Sequence, residues 1–186
     1  WTLVLLRKIL SITGKKSICE VWPNLELYMH GGVNFSPYRE QFMNIIANSK
    51  CNYIETYNAS EGFFAIQDNP LSEDMMLMLD LGIYYEFIPM DKFHTGNAPV
   101  LSLGEIEKNV NYAMVISTNS GLWRYVIGDT VMFTSTFPYK IKITGRILHF
   151  INAFGEELIV DNAEQALKIA CERTGAAIRE YTAAPV

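Results

Sequence analysis

A hydroxyl, a carboxylate and a glycine stand side by side at Ser60-Glu61-Gly62, closing the stretch Tyr57-Asn58-Ala59-Ser60-Glu61-Gly62. Together they suit a magnesium-bound phosphate. The carboxylate holds the metal, while the hydroxyl and the backbone N–H groups around Gly62 hold phosphate oxygens. A surface turn that happens to contain Ser and Glu is the alternative. A second acid ends Gly121-Leu122-Trp123-Arg124-Tyr125-Val126-Ile127-Gly128-Asp129, just past a glycine at the predicted end of a strand. A carboxylate so placed can accept two hydrogen bonds from a vicinal diol, as acidic residues commonly do with ribose. A plain Gly-Asp hairpin turn is the other reading. Arg124 suits a phosphate or carboxylate partner, or is simply an exposed strand arginine. Gly145-Arg146, between two apolar segments, suits a hinge whose guanidinium reaches a bound anion, or a surface arginine with no ligand. His30-Gly31-Gly32 follows a predicted strand. Either a tight turn or a flat ligand laid on bare backbone would account for its paired glycines. His30 itself is expected to make an ordinary hydrogen bond rather than to perform catalysis.

Positioning these groups falls to a recognisable series of elements. Tyr53, Ile54, Thr56 and Tyr57 are strand formers, so Cys51 to Thr56 reads as a strand running into a polar turn at residues 57–62. Upstream, Leu3 to Ile12 reads as an amphipathic helix with Leu6, Ile9 and Leu10 on one face, closed by Gly14. Ile18 to Trp22 is a short apolar segment stopped by Pro23-Asn24, and Leu25 to Met29 alternates as a strand. Ser36-Pro37 opens a helix over Tyr38 to Ala47. Strand, helix and strand form an α/β unit with Ser60-Glu61 at a strand's C-terminal end, the edge at which such sheets gather ligands. Downstream, Phe63 to Ile66, Met75 to Leu81 and Ile83 to Ile88 read as apolar strands, followed by a loop from Pro89 to Pro99. Short strands at Asn111 to Thr118, Gly121 to Ile127, Thr130 to Thr134 and Tyr139 to Ile143 predict a small antiparallel barrel or meander. Asp161-Asn162-Ala163-Glu164 caps a helix that runs to Arg173, and Ala176 to Thr182 alternates like a further strand.

Composition excludes several functions. With 186 residues, 49% hydrophobic and 19% charged, the chain suits a globular protein with a sizeable core and not a disordered one. At a net charge of −5, with no basic run longer than Lys15-Lys16, nothing tracks a phosphate backbone, so no nucleic-acid partner is expected. Apolar runs fall short of a membrane span, and Met75 to Tyr85 is broken at Asp80 and Gly82, so no membrane partner is expected either. Cys19, Cys51 and Cys171, like His30, His94 and His149, are scattered without metal-site spacing. Reduced thiols and a cytoplasmic setting follow.

In their order along the chain, these segments resemble the auxin-responsive promoter family of acyl-acid amido synthetases, plant enzymes with bacterial relatives, within the acyl-adenylate-forming superfamily. Tyr57-Asn58-Ala59-Ser60-Glu61 is similar to the family's second nucleotide motif, and Tyr125-Val126-Ile127-Gly128-Asp129, preceded by Arg124, to its third. Gly145-Arg146 with Asn152 and Gly155-Glu156 resembles the hinge and the first loop of a mobile small lobe. His30-Gly31-Gly32 falls where the superfamily sets a Gly-Gly turn against adenine and acyl groups. Glu20-Val21-Trp22-Pro23-Asn24 and Phe63-Phe64 add a likeness to bacterial members.

The resemblance implies ATP-dependent activation of a small-molecule carboxylic acid as its acyl-adenylate, then transfer to an amine such as an amino acid. An acyl-coenzyme A ligase shares the first step, and a domain that binds nucleotide or acyl ligand without turnover is a third possibility. Carried over motif by motif, Glu61 would hold Mg2+ and Ser60 an α-phosphate oxygen. Tyr57 would lie near adenine or the acyl chain, Asp129 would take the ribose hydroxyls, and Arg146 would contact ribose or phosphate as the small lobe rotates. Gly31 and Gly32 complete the nucleotide-binding set, and the resemblance assigns no catalytic residue. The superfamily's Ser/Thr/Gly-rich phosphate loop and distal lysine are not among these residues. Residues 1–145 are therefore expected to be the second half of a large α/β lobe, and residues 146–186 the hinge and start of a small α+β lobe.

Overall fold

The computed structural model describes residues 1–32, 35–48, 50–147, 150–153, 156–176 and 178 of a mixed α/β fold built on one large sheet. Helix α1 (Thr2–Thr13) buries Leu6 and leans Leu3, Ile9 and Leu10 on the same core. It ends where Gly14 takes φ 66° and donates its N–H to the Leu10 carbonyl at 2.9 Å, a left-handed cap that glycine adopts without strain. The apolar segment after it is a single helical turn, α2 (Ile18–Val21), with Ile18 fully buried.

Strand β1 (Leu27–His30) lies parallel to β2 (Asn52–Ala59), with Leu27 opposite Asn52 and His30 opposite Glu55. A parallel pair requires a crossover. The chain supplies it as a 3-10 turn at Ser36–Tyr38 followed by α3 (Arg39–Ile46). Phe42 and Ile46 of α3 close on Leu6, Ile18, Phe35 and Tyr53, so the predicted α/β unit has a core of its own.

Beyond that unit the strands differ in length from the expectation. Strand β2 runs on through Tyr57, Asn58 and Ala59, because the Tyr57 ring is buried in a second core and Ala59 still pairs with Gly62. The polar turn thereby contracts to Ser60 and Glu61, a two-residue hairpin link to β3 (Gly62–Ile66). Strand β4 (Met75–Leu77) stops short of Leu79 and Leu81, which are exposed. Next come β5 (Ile83–Pro89), β6 (Leu101–Ser102) and β7 (Asn111–Thr118). The two strands expected at Gly121 to Thr134 are one, β8 (Tyr125–Thr136), and β9 (Tyr139–Arg146) returns beside it.

The predicted meander is present as β7-β8-β9, but it is no separate layer. It is hydrogen-bonded into a nine-stranded sheet of order β1-β2-β3-β4-β9-β8-β7-β5-β6. That sheet curls around a core in which Tyr57 and Phe64 share one cluster with Phe87, Tyr112 and Phe133 from its far side. Phe87 and Phe133 meet edge to face at 5.0 Å. Each such ring contributes about 1.5–3 kcal/mol through burial. After β9, β10 (Phe150–Ala153) and β11 (Glu156–Ile159) form a separate hairpin, and α4 (Val160–Thr174) follows. Helix α4 is tied to the sheet at Glu73, which accepts from Lys142 on β9 at 3.1 Å and from Lys168 on α4 at 3.3 Å. The strand expected from Ala176 lies outside the described residues except at positions 176 and 178.

Candidate functional site

One irregularity in β8 builds the site. Val126 pairs with Val115 and Thr130 with Ala113, so three residues of β8, Ile127 to Asp129, stand against one of β7. The surplus is taken up as a bulge in which Gly128 has φ 92°, a backbone conformation costly to any residue with a Cβ. The Gly-Asp step is therefore neither a strand end nor a hairpin turn. It is a mid-strand bulge that re-aims an acid, and the acid points to two partners. Asp129 Oδ2 accepts from the Tyr57 hydroxyl at 2.8 Å, and Oδ1 accepts from Arg146 Nε at 2.9 Å. Arg146 is also the register partner of Asp129 across β8 and β9.

The three side chains differ in exposure. Tyr57 is buried, Asp129 is 14% exposed and Arg146 is 62% exposed at the open end of the row. Burial, and then the negative charge of Asp129, push the Tyr57 hydroxyl far above its ordinary range. It stays protonated and can only donate to the carboxylate. Tyr57 was expected beside adenine or acyl chain, but its ring packs 4.9 Å from Phe64 inside the core, and only the hydroxyl faces the site.

Beside this row lies the Ser60–Glu61 turn. Glu61 Oε1 accepts from the Tyr125 hydroxyl at 3.4 Å, and Tyr125 opens β8 four residues before Asp129. Ser60 is exposed and Glu61 half-buried. Among the described residues Glu61 makes no ion pair, so most of its acceptor capacity is uncommitted. No group of three or more His, Cys, Asp or Glu suited to a metal occurs among the described residues. A lone, accessible carboxylate fits Mg2+, which commonly takes one or two protein carboxylates and completes its shell with phosphate oxygens and water.

The glycine pair reaches the site through Thr56. A Cβ on Gly31 would stand 2.3 Å from the Thr56 carbonyl oxygen, and Thr56 Oγ1 donates to the His30 carbonyl at 3.2 Å. Gly31 is thus bare because its own chain presses on it, so its missing side chain does not bare a surface for a flat ligand. Gly32 has φ 81° and open space around it. The ordinary hydrogen bond expected of His30 is not made at Nδ1, which is buried without a partner among the described residues. The ring stacks on Phe35 at 3.8 Å. Burial, and then the Arg39 charge, push its pKa down to about 4.

Gly31, Tyr57, Asp129, Arg146 and Glu61 are thus linked through Thr56 and Tyr125 along adjoining strands, with Ser60 at the turn. Arg124 is separate: at φ 47° its Nε binds Glu86 at 3.0 Å, a partner within its own chain. Asn152 and Glu156 fall on β10 and β11, while Gly155 lies outside the described residues. Sequence reasoning gave no role to Thr56 or Tyr125, although each lies beside a residue it had singled out. No helix among the described residues is long and apolar enough to cross a membrane.

Comparison with known proteins identifies a family. Residues 1–51 match the GH3 family N-terminal domain, and residues 76–146 match the GH3 family central domain. The probable indole-3-acetic acid-amido synthetase GH3.1 of Arabidopsis thaliana is 25% identical over 194 aligned residues, covering 95% of this chain and 30% of that protein. The 4-substituted benzoates-glutamate ligase GH3.12 of the same plant is 26% identical, covering 90% of this chain and 30% of its own length. Among solved structures, that of the AtGH3.15 acyl acid amido synthetase in complex with 2,4-DB superposes with a TM-score of 0.65 at 17% identity, over 89% of this chain and 30% of that one. The chain spans less than a third of the length of these relatives. With two domain models of one family matching more than half of its residues in the order of the fold, the chain belongs to the GH3 family.

Proposed function

We propose that this chain supplies part of the nucleotide site of an ATP-dependent acyl-acid amido synthetase. Such an enzyme activates a carboxylic acid as its acyl-adenylate and passes the acyl group to an amine such as an amino acid. The observation that carries this reading is Asp129, held on a bulge between Tyr57 and Arg146 with the Ser60–Glu61 turn beside it. The activities by which the relatives are named, amidation of indole-3-acetic acid and of 4-substituted benzoates, support the same chemistry.

The chemistry sets demands that these residues fit. A carboxylate attacking an α-phosphate meets like charge, so the site must neutralise phosphate oxygens and hold the reactants in line. Magnesium, when bound, would supply positive charge at the phosphates, and Glu61 is the residue to hold it. Ser60, exposed at the hairpin tip, donates its hydroxyl to an α-phosphate oxygen. Gly32, with open space where a Cβ would stand, lets adenine or acyl groups approach the backbone, and Gly31 anchors that turn against β2. Asp129 accepts from the ribose hydroxyls, and the exposed guanidinium of Arg146 reaches ribose or phosphate. We assign residues 1–145 to the large lobe and residues 146–186 to the hinge and the start of a small lobe. The end of the central-domain match at residue 146 supports that division. Cys19, Cys51 and Cys171 are free, which supports a reducing, cytoplasmic setting.

Pyrophosphate exchange into ATP, measured on the full-length protein with a panel of carboxylic acids, tests the reading. Acid-dependent exchange followed by amide formation with an amino acid is expected. Thioester formation with coenzyme A in place of amide would make the protein an acyl-coenzyme A ligase. No exchange with any acid would leave a nucleotide- or acyl-binding protein without turnover.

A further inference from the structure

We propose that Tyr57 is a positioning residue that makes the nucleotide site selective for an intact ribose diol, acting through Asp129. This rests on the reading of Asp129 as the ribose contact. A carboxylate has about four lone-pair directions, two on each oxygen. Tyr57 takes one on Oδ2 and Arg146 takes one on Oδ1. Among the described residues no other donor reaches Asp129, so one direction is left on each oxygen, and a 2′,3′-diol has one hydroxyl for each.

For this match to discriminate, the carboxylate plane must be held before the nucleotide arrives, since a freely rotating acid would spend binding energy on being ordered. Of the two donors, only Tyr57 can hold it. Arg146 is 62% exposed, and a long, solvated side chain gives a weak restraint. Tyr57 is 4% exposed and locked beside Phe64. Its ring has no face open to a ligand, so its influence on the site passes through its hydroxyl alone. The bulge at Gly128 places Asp129 where that hydroxyl reaches it. Tyr57 and Asp129, from the second and third motifs of the sequence, thus act as one unit rather than as two separate nucleotide contacts.

The test compares binding of ATP and of 2′,3′-dideoxy-ATP to the full-length protein and to its Tyr57→Phe variant, by calorimetric titration. Unchanged protein is expected to prefer ATP by about tenfold or more, the factor that one good hydrogen bond supplies. Tyr57→Phe should lose most of that preference while its affinity for the dideoxy nucleotide stays within about twofold, since the ring and the rest of the site remain. A preference retained in Tyr57→Phe would overturn the proposal and leave Tyr57 as a core residue that merely satisfies its hydroxyl. No preference in the unchanged protein would overturn it differently, by removing Asp129 from the ribose. Acid-dependent pyrophosphate exchange would still report separately on the proposed activity. Replacing Tyr57 with 4-aminophenylalanine keeps ring size and returns a donor at the same place. Selectivity should recover in that variant, and failure to recover in folded protein would also count against the clamp.

Discussion

Removing the carboxylate of Asp129 should cost the fold as well as any ligand. The Tyr57 hydroxyl is buried and donates to Asp129 Oδ2 at 2.8 Å. In Asp129→Ala that buried hydroxyl loses its acceptor, and an orphaned buried polar group costs about 1–3 kcal/mol. The ion pair with Arg146 adds little, because the guanidinium is 62% exposed and such pairs contribute about 0–1 kcal/mol. A loss of about 2 kcal/mol in all is expected, read as a fall in the urea midpoint at unchanged slope or as about 4–8 °C in Tm. Asp129→Asn keeps a carbonyl acceptor for Tyr57 and should lose less than about 1 kcal/mol. The decisive arm is the double variant. Once Tyr57→Phe has removed the hydroxyl, Asp129→Ala leaves nothing orphaned, so the double loss should fall short of the sum by about 1 kcal/mol or more. Additivity within about 0.5 kcal/mol would refute the reasoning, and so would an Asp129→Ala variant as stable as its parent.

Other perturbations read other parts of the site. Gly31→Ala drives a Cβ to 2.3 Å from the Thr56 carbonyl oxygen, so urea denaturation should show a loss of about 1–3 kcal/mol or more as the β1–β2 pair yields. Gly32→Ala meets open space and should cost only the left-handed backbone, about 1–2 kcal/mol; a larger loss at Gly32 than at Gly31 would reverse the assignment. Glu61→Gln in the full-length protein should raise the Mg2+ concentration needed for ATP binding several-fold with the melting temperature unchanged, and an unaltered magnesium titration would remove Glu61 from the metal. His30 has its folded-state pKa pushed down to about 4 from an ordinary value of about 6.5. The unfolded chain therefore binds the proton first as pH falls. Stability from this residue is full above about pH 6.5 and lost towards about pH 4. Urea midpoints at several pH values should fall less steeply in His30→Gln over that window, and parallel curves would contradict the burial argument.

The parts of the fold that were legible in the sequence are those ruled by local signals. Periodicity and Gly14 marked α1, and Ser36-Pro37 with the flanking strands marked the parallel unit around α3. What was not legible depended on long-range pairing. Tyr57 reads equally well as the first residue of a polar turn or the last buried residue of a strand, and only the core on its far side decides. Gly128-Asp129 has the composition of a turn, yet pairing on both sides carries the strand through it as a bulge. The candidate site fared likewise. Its residue types could be named from motifs, whereas the link between Tyr57 and Asp129 spans 72 positions and needed the curl of the sheet. Gly31 drew attention as a surface for a ligand and is instead required by Thr56, because no sequence pattern shows where two strands touch.

These corrections follow from the pleat of a single strand. Successive side chains of a strand point to opposite faces, so Thr56 and Tyr57 on β2 face apart. Thr56 meets His30 and Gly31 at the end of β1, while Tyr57 turns into the other core and meets Asp129 on β8. Two residues later the strand ends, and Ser60 and Glu61 hang from its tip beside Tyr125. Six consecutive positions thus join the glycine turn, the acid and the polar hairpin without a helix or long loop between them. A one-residue slip of β2 would turn Tyr57 out of the larger core and strip Asp129 of its donor while leaving the motif intact in sequence. The spacing from Thr56 to Glu61 is therefore as much a part of the site as its residue types. Inserting one alanine between Tyr57 and Ser60 should disturb little of β1, which pairs upstream at Asn52 to Glu55. The hairpin should move off Tyr125, and ATP binding by the full-length protein should fall even though every proposed contact residue is still present. Full ATP affinity in that insertion variant would mean that the hairpin tip reaches the nucleotide from any register.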